Sequence, residues 1–165
     1  MMDRRGQVSA EFLFVFGVLI VIVMLSVVFV ADQQELNAAM AAARNGAVEG
    51  AAASGAALYP EDTYRQYSTQ KTSLLYPYSV DIVNVSYEDM GHDVNYDKRK
   101  IQFKVYAKTS DRFSHDELVS IGDRINYSLR KSVAVSFNST GSTNKLYNPV
   151  FSQHYVFTTA NVKWI

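Results

Sequence analysis

From Phe12 to Ala31 the chain carries no charged residue, and only Gly17 and Ser26 interrupt an aliphatic and aromatic series. As a helix at 1.5 Å per residue, this run spans roughly 30 Å, about the hydrocarbon thickness of a bilayer. A helix apolar on every face lacks the polar stripe that a soluble domain turns to water. The pattern then changes. Asp32, Gln33, Gln34 and Glu35 mark an exit from lipid, and alanine dominates from Ala38 to Ala57. Alanine has the best helix propensity, so the same helix is expected to continue to Leu58, and residues 7–58 would reach roughly 75 Å. Gly46 and Gly50 form a G-x-x-x-G pair on one face, which lets another helix approach closely. That other helix can belong to a neighbouring chain or to this chain's own outer domain, and the pattern alone does not choose.

Tyr59-Pro60-Glu61-Asp62 reads as the break after the helix. Residues 63–78 are polar and rich in tyrosine, an irregular connection with one short helix around residues 64–74. Residues 79–87 read as a strand, and residues 88–99 as a loop around Gly91. Residues 100–108 alternate cleanly: Ile101, Phe103, Val105 and Ala107 face one way, and Lys100, Gln102, Lys104, Tyr106 and Lys108 the other. Ser114 and Glu117 make a capping box, and Leu118, Ile121, Ile125 and Leu129 follow at helical spacing to about Lys131. Val133, Val135 and Phe137 alternate as a third strand, and residues 153–164 form a last one. The expected class is α+β. A long N-terminal helix is followed by a small antiparallel-sheet head of about four strands with one covering helix.

Glu11 breaks the apolar pattern. An ionised carboxylate facing lipid is costly unless paired, so an acid here points to function, the plain alternative being a side chain that reaches water at interface depth. The stretch Arg4-Arg5-Gly6-Gln7-Val8-Ser9-Ala10-Glu11-Phe12-Leu13 resembles the class III signal sequence of euryarchaeal type IV pilins. That pattern is a short basic leader, Gly-Gln, then Q-x-S-x-E running into a hydrophobic helix. The resemblance covers only this N-terminal segment. It implies cleavage between Gly6 and Gln7 by a membrane-embedded prepilin peptidase. The chain would divide into a leader (residues 1–6), a membrane and filament-core helix (7–58) and an extracellular head (59–165). It implies insertion by the secretion translocon and polymerisation on a pilus assembly platform with itself and other pilin subunits. Arg4, Arg5, Ser9 and Glu11 would serve recognition and assembly. The Q-x-S-x-E form points away from archaellins.

Physical chemistry gives this reading content. Arg4 and Arg5 hold the leader on the cytoplasmic side, which places the chain after Ala31 outside. A cut behind Gly6 leaves the apolar run attached, unlike an ordinary secretory signal. The new amine at Gln7 of one subunit can neutralise Glu11 of a neighbour, which fixes register more than it adds stability. If Gln7 cyclises to pyroglutamate, the partner becomes a neutral donor such as Ser9 or a backbone N–H.

Composition narrows the alternatives. Formal net charge is +0, which argues against nucleic acid as a partner. With no cysteine there is no disulfide frame and no thiolate chemistry. Asp93-x-Asn95-x-Asp97 begins like a calcium loop, but Lys98 occupies the glycine position and Lys104 the bidentate glutamate position. His92, His115 and His154 are scattered, and no H-E-x-x-H, G-x-S-x-G, P-loop or dinucleotide fingerprint occurs. No catalytic residue, metal site or cofactor is expected, and the chain does not read as an enzyme. Asn84-Val85-Ser86, Asn126-Tyr127-Ser128 and Asn138-Ser139-Thr140 fit the N-glycosylation pattern. Asn138, in a loop, is favoured over Asn84 in a strand and Asn126 in a helix. The expected function is a surface-filament subunit whose head contributes to adhesion. The alternative is a membrane-anchored extracytoplasmic binding protein that never polymerises, which would need neither Glu11 nor the alanine-rich extension.

Overall fold

The structure, a computed structural model, describes residues 4–52, 61–70, 79–109 and 112–165. The expected break at Tyr59-Pro60 and residues 53–58 of the expected helix lie outside the described residues. The elements are α1 (Arg4–Ala52), α2 (Glu61–Gln70), β1 (Val80–Asp93), β2 (Lys98–Thr109), α3 (His115–Ser136), a 3-10 turn (Thr140–Ser142), β3 (Val150–Phe151), β4 (Tyr155–Thr159) and β5 (Lys163–Trp164). The class is α+β. Contacts divide the chain into two units, residues 1–37 and residues 38–165.

In the first unit α1 shows apolar side chains to solvent on every side. Phe12, Phe14, Leu19, Leu25 and Phe29 are all more than half exposed. Ser26 donates its hydroxyl to the carbonyl of Ile22 at 2.8 Å, so its polar group is satisfied within the helix. This helix is long and apolar enough to cross a membrane.

The second unit is built on β2. Its neighbours lie on both sides, in the sheet order β1-β2-β4-β3 with β5 also on β2. Ile101, Phe103, Val105 and Ala107 are buried, as their alternation requires. The opposite face carries cross-strand ion pairs Lys104–Glu88 and Lys100–Asp93, which hold register more than they stabilise. Phe157 on β4 stacks with Phe103 at 5.5 Å between ring centroids and with Phe137 at 5.8 Å, the aromatic centre of the core.

Three expectations are corrected here. The sheet is mixed: β1 and β2 pair antiparallel, but β2 pairs parallel with β4 and with β5. The cause is the segment read as a third strand. Val133 and Ala134 are buried in α3, which runs on to Ser136, and Phe137 is its C-cap. With that strand gone, α3 carries the chain past β4 to β3 at the sheet edge, and the antiparallel turn from β3 back to β4 lays β4 parallel to β2. The loop expected over residues 88–99 is also mostly strand. β1 extends to Asp93 with irregularities between Ile82 and Asn84 and between Asp89 and His92, and Gly91 at φ 79° takes up the second one.

Candidate functional site

α1 carries the residues that the sequence singles out. Arg4, Arg5, Gly6, Gln7, Ser9 and Glu11 all lie in its first turns. Glu11 is exposed and lies about one helical turn after Gln7 in the chain. Phe12 and Phe16 stack one turn apart at 6.2 Å just beyond it. No charged side chain follows Glu11 until Asp32. A solitary carboxylate thus marks the start of a rod with no polar face, an arrangement that demands a cationic or hydrogen-bonding partner wherever water is excluded.

The second unit resolves the G-x-x-x-G pair. Ala39, Ala43, Gly46, Ala47, Gly50 and Ala51 form a buried stripe on residues 38–52 of α1. At Gly46 an added Cβ would lie 2.7 Å from the Ser128 carbonyl oxygen and 2.8 Å from Leu129 Cα. At Gly50 it would lie 2.9 Å from Ile125 Cα. The two glycines therefore seat this segment on α3 of the same chain, small residue against small residue. Arg124, buried on α3, donates its Nε to the Gly50 carbonyl at 3.0 Å and so ties this segment to α3 by a charged hydrogen bond. Arg124 was not singled out by the sequence reading. Its only sequence signal is a cation at helical spacing inside an otherwise apolar and small-residue face.

The glycosylation candidates separate by geometry. Asn138 is exposed at the end of α3, at φ 51°. Asn84 is exposed on β1, beside the first irregularity. Asn126 is 5% exposed and donates its Nδ2 to the Ala160 carbonyl at 2.9 Å. That side chain is buried, so a glycan on its nitrogen would have to open the fold. The residues of the calcium-like loop do not converge. The carboxylate of Asp93 accepts from the backbone N–H of Asn95 and lies 3.5 Å from Lys100 Nζ, while Asp97 pairs with His92 at 3.3 Å. At the end of the hairpin, the Arg99 guanidinium beside Asp89, helped by the backbone N–H of Gly91, holds that carboxyl below its usual range.

Comparison with protein-family models, with curated proteins and with solved structures found no match.

Proposed function

We propose that this chain is a structural subunit of an archaeal type IV pilus-like surface filament. The observation that carries this reading is the rod. Apolar side chains are exposed on every side from Phe12 to Val30, with the single carboxylate of Glu11 at the start, directly behind Arg4-Arg5-Gly6-Gln7. The chain enters the membrane through the translocon with its N-terminus cytoplasmic and its C-terminal domain outside. Prepilin peptidase trims it between Gly6 and Gln7. On the assembly platform the rods exchange lipid for one another, and Glu11 meets the Gln7 amine, or a neutral donor, of a neighbouring subunit. The head coats the filament and is the part available for adhesion. No cofactor enters this scheme.

A second reading, a membrane-anchored binding protein that does not polymerise, is favoured by one observation. The alanine-rich segment already has a use within the chain, as the seat on α3. Two measurements separate the readings. Mass or N-terminal sequencing of the cellular protein is expected to give a chain that begins at Gln7, free or cyclised; retention of Met1 would refute the pilin reading. Glu11→Ala should leave cleavage intact and reduce incorporation into purified filaments, and normal incorporation of the variant would refute the pairing role.

A further inference from the structure

β4 and β5 are one strand broken by a bulge. Along β2 the register advances three residues from Phe103 to Tyr106, while the parallel partner advances four from Thr159 to Lys163. The extra residue pushes Asn161 and Val162 out of line. Both ends are tied to β2, where Ala160 N–H donates to the Phe103 carbonyl at 2.9 Å and Ile165 N–H to the Ala107 carbonyl at 3.0 Å. The Asn126 side chain holds the Ala160 carbonyl from α3. Val162 passes so close to Gly122 that a Cβ there would meet it at 3.3 Å. Bulges of this kind re-aim side chains and recur beside binding sites.

Between the bulge and the first turns of α3 lies a cleft of about 160 Å³. Leu118, Val119, Val162 and Trp164 give it apolar walls, and Asp123 and Asn161 give it polar ones, with His115 at the helix start. Val119 is 47% exposed, so an aliphatic wall faces water in the free protein. Desolvation at the cleft pushes the Asp123 carboxyl above its ordinary value, against the pull of Arg130.

The lining selects among ligand classes. The volume equals only about five waters at ~30 Å³ each, and it lies below the ~300 Å³ where sites for drug-sized ligands or nucleotides begin. The lining offers a carboxylate and no lysine or arginine, which disfavours anions. A wholly apolar ligand would make no use of Asp123 and Asn161, both exposed at the cleft. A metal ion has no use for four apolar walls. A sugar ring matches both halves of the lining. Its polarised C–H face suits aliphatic side chains and the electron-rich face of an indole. Its hydroxyls both donate and accept, as Asp123 (acceptor) and Asn161 (donor and acceptor) require. We propose that this cleft binds one neutral pyranose ring. The assignment is independent of whether the chain polymerises.

Trp164 is the only tryptophan in the chain, so indole emission, excited beyond the tyrosine absorption band, reports on this cleft. The full-length protein in detergent micelles is titrated with the methyl glycosides of mannose, glucose and galactose, and with propylammonium and methyl glucuronide as charged controls. Saturation-transfer NMR gives a second readout. The expected result is a saturable change in Trp164 emission for at least one neutral sugar, with the millimolar dissociation constant ordinary for so small a ligand. Asp123→Ala or Asn161→Ala should weaken it by about tenfold, the loss of one or two hydrogen bonds. Val119→Glu, at an exposed helix position that leaves the core untouched, should abolish it while the melting curve stays unchanged. Absence of binding by all three sugars up to about 100 mM, far above a millimolar dissociation constant, would overturn the assignment. So would binding that survives all three substitutions, or a preference for either charged control.

Discussion

Gly46→Ala isolates the contact between the alanine-rich segment and α3. The new Cβ would sit 2.7 Å from the Ser128 carbonyl oxygen and 2.8 Å from Leu129 Cα. Both are backbone atoms of a helix held on its other side by the sheet, so neither can swing aside. Relief requires the helices to part by roughly 0.7 Å, which close-packed interiors resist. With backbone atoms at 2.7 and 2.8 Å, the cost lies in the upper part of the overpacking range, about 2–3 kcal/mol. Better helix propensity offsets about 1 kcal/mol of that, leaving a net loss of about 1–2 kcal/mol. For a unit of this size, that lowers Tm by about 4–8 °C. The assay is thermal unfolding of the full-length protein in detergent, followed by Trp164 emission. Gly17→Ala is the control. It gives the same gain in propensity, but its Cβ meets nothing within 4 Å, so its Tm should equal or slightly exceed that of the parent. If Gly46→Ala also melts at or above the parent temperature, α1 is not seated on α3 through Gly46.

Two further outcomes follow from the head. Peptide mass spectrometry of the cellular protein should find any glycan at exposed Asn138 or Asn84 and none at Asn126, whose side chain is buried in the fold; a glycan on Asn126 of folded protein would show that this side chain is not buried between α3 and the bulge. Asp89 has its pKa lowered from 3.8 by Arg99, so its stabilising contribution is full above that value and is lost as pH falls through the depressed one. Asp89→Asn should therefore be slightly less stable than the parent at neutral pH and equal to it in strong acid, as read by denaturant midpoints across pH, and a difference independent of pH would refute the pairing.

The sequence made the rod and the central strand legible because each has one dominant period. The Phe12–Ala31 run has no polar face at all, and β2 alternates without a break. The capping box was legible because it is local: Ser114 Oγ accepts from the Glu117 N–H, and the Glu117 side chain accepts from the Ser114 N–H. The last turn of α3 misled because Val133, Val135 and Phe137 satisfy a period of two, while the packing of Val133 four residues after Leu129 decides for helix. The short β3 at the sheet edge, which leaves β4 parallel beside β2, has too few residues to show a period. The cleft was invisible because it depends on a one-residue register shift between β4 and β5, and on a close approach at Gly122. Neither leaves a mark in hydrophobic periodicity.

The seat on α3 limits where neighbouring chains can pack closely. Along residues 38–52 the small-residue stripe is consumed within the chain, and the face left to solvent carries Arg44, Asn45, Val48 and Glu49. Two like surfaces of that composition would bring long, hydrated side chains together, whose ordering cancels most of the gain from pairing them. If the chain polymerises as proposed, close helix contact between subunits is thereby directed to residues 12–31. There every face is apolar, the one glycine, Gly17, has open space beside it, and the only charge is Glu11 at the start. With apolar contacts alone, a rod of this kind could slide along its neighbour by a turn at little cost. A carboxylate that must find its donor removes that freedom, because each wrong register leaves it unpaired in a dry environment. In the proposed filament, the apolar surface would thus supply the drive to associate, and the single acid the register.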